Sequence, residues 1–99
     1  MIRILTEDVN RPNIEGALQS ASIDTYTLIE ATGSWKGVKE KSLIIELDGI
    51  TRFRAECIAE RIRVANRQEA VLVQEFTTTS TLVAYKEPQG EVEHEWLAR

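Results

Sequence analysis

From Lys39 to Leu47 the residues alternate: Lys41, Leu43, Ile45 and Leu47 fall on one face of an extended strand, and Glu40, Ser42, Ile44 and Glu46 on the other. Asp48-Gly49 breaks this pattern. From Thr51 to about Asn66 the period changes, and Ala55, Ile58, Ala59, Ile62 and Ala65 recur at helical spacing. A change of period from two to 3.6 across one glycine turn excludes an all-helical or all-strand chain and fixes a strand followed by a long helix.

The flanking segments extend the order. Met1 to Thr6 is short, apolar and rich in β-branched residues, so it reads as a first strand ended by the polar Glu7-Asp8. Asn10-Arg11-Pro12-Asn13 reads as a helix start, because proline lacks an N–H that would find no partner in the first turn. Ile14, Ala17, Leu18 and Ala21 form its apolar face, and Gly16 predicts a short helix. Tyr26 to Ala31 has the aromatic and β-branched content of a second strand, followed by turn signals at Gly33 and Gly37. Ala70 to Phe76 returns to strand, which Thr81 to Tyr85 continues or resumes, and Pro88-Gln89-Gly90 ends it.

The resulting βαββαβ order predicts an α+β, ferredoxin-like domain over residues 1–87, an antiparallel sheet with two helices on one face, and a C-terminal tail over 88–99. Ninety-nine residues suit one domain with a modest core. The uncovered sheet face would carry Ile44, Leu28 or Ile29, and Val71 or Leu72, which water serves poorly, so packing of sheet against sheet in a trimer is expected.

Composition narrows the class of function. With 42% apolar and 28% charged residues the chain is neither disordered nor fibrous. A net charge of −4 argues against nonspecific binding to nucleic acid. No apolar run reaches the ~20 residues a membrane-spanning helix needs, and the first residues lack signal-peptide architecture, so a cytoplasmic protein is expected. Cys57 is the only cysteine, on the long helix, and reads as packing in a reducing compartment. The outer face of that helix, with Arg52, Glu56, Glu60, Arg63 and Arg67, reads as solvated.

Candidate chemistry gathers in two places. Gly33-Ser34-Trp35 and Glu40 sit around one hairpin mouth, where Trp35 reads as a loop residue. Trp35 is either a wall for a flat or cationic ligand, worth ~0.5–2 kcal/mol for a cation, or a ring folded over the core or a subunit interface. Glu40 is either a solvated carboxylate beside Lys39 and Lys41 or, if partly desolvated near Trp35, a grip for an ammonium or sulfonium. Thr77, Thr78, Thr79, Ser80 and Thr81 are either a plain edge strand or a rim of hydroxyls for ribose or carboxylate. His94, the only histidine, lies in Glu91-Val92-Glu93-His94-Glu95, which lacks metal-motif spacing, so no metal is expected. With one histidine, one cysteine and dispersed glycines, neither a nucleophile dyad nor a phosphate-binding loop is available, and any catalysis must work by placement and charge. Trp96 and Leu97 in the tail are either local packing or contacts to a neighbour.

Taken together, these residues resemble the bacteriophage S-adenosylmethionine lyases, long called S-adenosylmethionine hydrolases. The likeness spans about Tyr26 to Tyr85 and is carried by Gln68 to Tyr85, where an acidic residue and Val71-Leu72-Val73 precede the Thr-rich segment, and by Thr32-Gly33-Ser34-Trp35 with Glu40-Lys41. The resemblance implies a ferredoxin-like subunit in a homotrimer similar to the nitrogen-regulatory PII signal proteins, with active sites between subunits. It implies that Glu40 is the essential glutamate and that Trp35, Ser34, Thr77, Thr78 and Thr79 contact S-adenosylmethionine, with no cofactor. Trp35 stands where the family pattern usually has tyrosine, Thr77 where it often has glutamine, and the hairpin is shorter. The implied reaction converts S-adenosylmethionine to methylthioadenosine and homoserine lactone, which would deprive host restriction and methylation systems of their cofactor. Alternatives are hydrolysis to homoserine, a noncatalytic trimer that sequesters a nucleotide-like metabolite, and an inhibitor that binds a host defence protein through its acidic surface.

Overall fold

The computed structural model describes residues 1–77, Thr81 and Val83. Its elements run β1 (Ile2–Glu7), α1 (Arg11–Ser20), β2 (Thr27–Trp35), β3 (Val38–Leu47), α2 (Arg52–Ala65) and β4 (Leu72–Glu75). The four strands form one sheet in the order β2-β3-β1-β4, each neighbouring pair antiparallel. This is a small α+β arrangement, compatible with a ferredoxin-like fold. The expected strand over residues 81–85 falls mostly outside the described residues, and the 88–99 tail wholly so, with His94, Trp96 and Leu97.

Alternation decides the layers. Ile2, Ile4, Leu43, Ile45 and Leu47 point to one face and are buried against Ile14, Ala17 and Leu18 of α1 and Ala55, Ile58, Ala59 and Ile62 of α2. Truncating one of the fully enclosed members, such as Leu43 or Ile45, to alanine should cost about 2–5 kcal/mol. The helix face expected from sequence is the buried one, except that Ala65 at its end is exposed. Thr51 caps α2 by accepting the Arg54 backbone N–H at 3.2 Å.

Register settles which residues occupy the other face. Ile29 pairs with Ile44, and Leu5 with both Ile44 and Leu72, so these four form an apolar band on the side away from the helices. Leu28 and Val71 instead pack against the core. Arg3, paired with Glu46 at 2.7 Å and lying over Phe76, bounds the band at one end.

Two expectations are corrected. Trp35 is not in a loop: it is the last residue of β2, paired with Val38, and the turn is only Lys36-Gly37. Both turn residues have positive φ, 51° and 80°, the requirement of a two-residue hairpin whose twist matches its strands. Gly33 is therefore a strand residue rather than a turn signal. Cys57 is exposed rather than packed, because it lies between the buried positions Ala55 and Ile58 but rotated off their face.

Candidate functional site

The β2–β3 hairpin outruns the rest of the sheet. β1 pairs with β3 only from Ser42 to Leu47, so the segment from Thr32 to Lys41 projects past the end of β1 as a two-stranded arm. On the other side of β1, the α2–β4 connection carries Gln68, Glu69 and Ala70. Between arm and connection lies a cavity of ≈ 470 Å³, within the usual range of small-molecule sites.

Its floor is set by the pleat. Glu7 pairs with Ser42, and Glu40 lies two residues from Ser42 on the same face, so Glu7 and Glu40 are diagonal neighbours on the open face. Both line the cavity with Leu5, Ser42 and Ile44. Glu7 binds its proton more tightly than an ordinary carboxylate, first because it is withdrawn from water, then because the Glu40 carboxylate repels its charge and can accept a hydrogen bond from its protonated form.

The roof comes from the arm tip. Trp35 donates its indole Nε1–H to a Glu69 carboxylate oxygen at 3.1 Å, and the Lys36 ammonium reaches the other oxygen at 2.8 Å. These two contacts, Lys36 first, hold the Glu69 carboxyl below its ordinary value. Trp35 remains 49% exposed and presents its ring to the cleft as a partial wall.

Gln68 orders the floor from behind. It is buried, and its side-chain oxygen accepts from the Thr6 hydroxyl at 2.7 Å and from the Glu7 backbone N–H at 3.2 Å. Its Nε2 has no hydrogen-bond partner among the described residues. The connection that supplies Glu69 is thereby fastened to the strand end that supplies Glu7.

The structure brings Ser34, Trp35 and Glu40 to one cavity. Neither Lys39 nor Lys41 forms an ion pair with Glu40 among the described residues. Thr77 is exposed and follows β4 at the opposite end of the sheet, where the Phe76 N–H meets the Met1 carbonyl, so within the chain it does not reach the cleft. Thr78 and Thr79 lie outside the described residues. The residue missed from sequence is Glu7, read as a strand terminator; continuing the alternation Arg3, Leu5, Glu7 would have placed it on the open face.

Chemically, the described lining holds the carboxylates Glu7, Glu40 and Glu69 and the indole of Trp35, and the one basic group at its edge is the Lys36 ammonium, bound to Glu69 and 5.9 Å from the centre of the Trp35 ring. Such a cleft favours a cation and disfavours phosphate or a dinucleotide. Among the described residues no group of three metal-ligating side chains is assembled, and no helix is long and apolar enough to cross a membrane. No protein-family model matches the chain, and no curated protein matches it.

Proposed function

We propose that the chain degrades S-adenosylmethionine by intramolecular lactonisation, in the manner of the phage lyases it resembles. One observation carries the reading: a small-molecule cleft in which two adjacent carboxylates, Glu7 and Glu40, lie beside a tryptophan wall, with neither carboxylate in an ion pair among the described residues. S-adenosylmethionine carries two cationic centres, an ammonium and a sulfonium.

The reaction needs neither a protein nucleophile nor a metal. The substrate carboxylate forms a C–O bond to the γ-carbon while the C–S bond breaks, and that bond's electron pair goes to sulfur. The products are neutral methylthioadenosine and homoserine lactone, with no proton transferred. Holding the methionyl chain so that its carboxylate meets the γ-carbon can supply ~7–11 kcal/mol. Glu40 serves this by gripping the ammonium, whose charge is unchanged in the reaction, so that the substrate carboxylate is free to attack. A ring such as Trp35 suits the sulfonium side of the chain. Charge is neutralised as the sulfonium becomes a thioether, so exclusion of water favours the step.

A homotrimer of the PII kind, with sites between subunits, fits this reading. The band of Leu5, Ile29, Ile44 and Leu72 adjoins the cleft, and Ile29 and Leu72 are 37% and 52% exposed in the single chain. In this reading a neighbouring subunit covers that band, and Thr77 of another subunit completes the site, as the resemblance implies. A cytoplasmic role in removing the methyl donor of host restriction systems follows from the substrate.

The test is incubation with S-adenosylmethionine in ¹⁸O-labelled water, followed by mass spectrometry. Catalytic methylthioadenosine with unlabelled homoserine lactone is expected, and Glu40→Gln should lower turnover by about tenfold or more. Direct release of labelled homoserine would mean hydrolysis. Intact ligand recovered from the protein would mean a binding protein.

A further inference from the structure

We infer that Glu7 and Glu40 act as one unit, a two-carboxylate clamp that recognises a primary ammonium group, so that the cleft selects ligands by their free α-amino group. The inference rests on the proposed adenosyl ligand and names what the site reads in it. Three observations lead there.

The first is placement. Glu7 and Glu40 come from different strands, β1 and β3, and the Glu7-Ser42 register makes them diagonal neighbours on the same face. Like charges so placed repel, and neither carboxylate is offset by an ion pair among the described residues; Glu15, Asp24 and Glu75 also lack one, but only Glu7 and Glu40 are unpaired acids that border the cavity.

The second is support. Glu7 is held by its backbone, through the N–H to buried Gln68, so its position does not depend on a side-chain partner that a ligand would have to displace. Glu69, the third acid of the lining, is already engaged by Lys36 and Trp35 and is not free to take a cation.

The third is the form of the cavity. Both carboxyl groups border a space of ≈ 470 Å³ that also meets the Trp35 ring, so a cation between them can be the end of a larger organic molecule. An ammonium has three N–H donors and can satisfy both carboxylates at once; a sulfonium or quaternary amine has none. The clamp therefore favours a primary ammonium over a cation that cannot donate, and the sulfonium is left to the aromatic wall.

The experiment uses the full chain and two non-reacting probes, S-adenosylhomocysteine and its N-acetyl derivative, with equilibrium binding measured for wild type, Glu7→Gln and Glu7→Asp. Wild type is expected to bind the free amine about tenfold or more tightly than the acetylated form. Glu7→Gln should lose about tenfold in affinity for the free amine and none for the acetylated one, while Glu7→Asp recovers part of the loss. Thermal melting checks that each variant is folded. Equal affinity of wild type and Glu7→Gln for the free amine overturns the clamp, as does equal binding of the two probes by wild type. Methylthioadenosine formation together with either result leaves the lyase reading standing and removes the clamp alone. Amine-selective, Glu7-dependent binding without turnover removes the lyase reading and keeps the clamp.

Discussion

Trp35 and Glu69 stand 34 residues apart in sequence and are joined by an indole N–H to carboxylate hydrogen bond of 3.1 Å, which ties the hairpin arm to the connection before β4. Lys36 adds a second bond to the same carboxylate at 2.8 Å. Both contacts are exposed, and such pairs contribute little to global stability. Their effect is local: they decide where the tip of a two-stranded arm rests, and so whether the cleft is roofed.

Glu69→Ala should therefore free the arm without unfolding the chain. In a Trp96→Phe background Trp35 is the sole tryptophan, and its quenching by acrylamide should rise while the melting temperature stays close to that of the parent. A large drop in melting temperature with unchanged quenching would make Glu69 a residue that holds the fold, not the arm.

Gly33 tests how closely the arm is packed. A Cβ built there would lie 2.6 Å from the Ser42 hydroxyl oxygen but 3.6 Å from its Cβ, so the obstacle is one oxygen atom. Gly33→Ala should lower stability by about 1 kcal/mol, the smaller end of the overpacking range, because the serine can turn away at some expense. With Ser42→Ala already in place the same change should be neutral or stabilising by about 0.5 kcal/mol, since a strand glycine carries an entropic penalty. The double-mutant cycle, measured by denaturant unfolding, should show this coupling; additive effects would mean the contact is absent.

Cys57 separates two surfaces of α2. Being exposed, it should react stoichiometrically with a thiol reagent in the native protein, at a rate close to that in denaturant. Cys57→Ser should change stability by no more than about 0.5 kcal/mol. Protection of the thiol in the native protein, relieved by dilution, would instead place this face of α2 in an interface.

These tests also mark what the sequence makes legible. The alternation through Lys39 to Leu47 and the helical spacing after Thr51 assign the two central elements and their faces, because a buried layer leaves its period in the residues that build it. The convergence of Trp35 and Glu40 was also readable, since a hairpin brings its two mouths together. Glu7 was not, because its meeting with the arm depends on strand order, which local pattern does not encode. The placement of Trp35 failed for a different reason. Three turn-prone residues, Gly33, Ser34 and Gly37, spread the signal, whereas the turn that forms is fixed by the left-handed pair Lys36-Gly37. Cys57 failed because cysteine's usual burial was taken over its position on the helix, one step off the buried face.

The carboxylates give stability a pH dependence whose sign can be worked out. Glu7 holds its proton more tightly in the folded chain than in the unfolded one, owing to burial and then to the Glu40 charge. Its contribution is therefore fully present below the ordinary value of 4.5 and is lost as pH rises through the higher folded value. Asp8 and Glu69 act the other way: hydrogen bonds to Arg11, and to Lys36 and Trp35, hold them low, so their contributions are present above the ordinary values and lost as pH falls through the folded ones. Comparing wild type with Glu7→Gln cancels what the two share. The melting temperature of the variant relative to wild type should rise above about pH 4.5 and level off once the pH has passed the higher folded value. A flat difference across that range would mean that Glu7 is neither buried nor close to Glu40. In a Glu40→Gln background the slope should shrink but persist, because burial is the largest single cause of the three and that substitution leaves it in place.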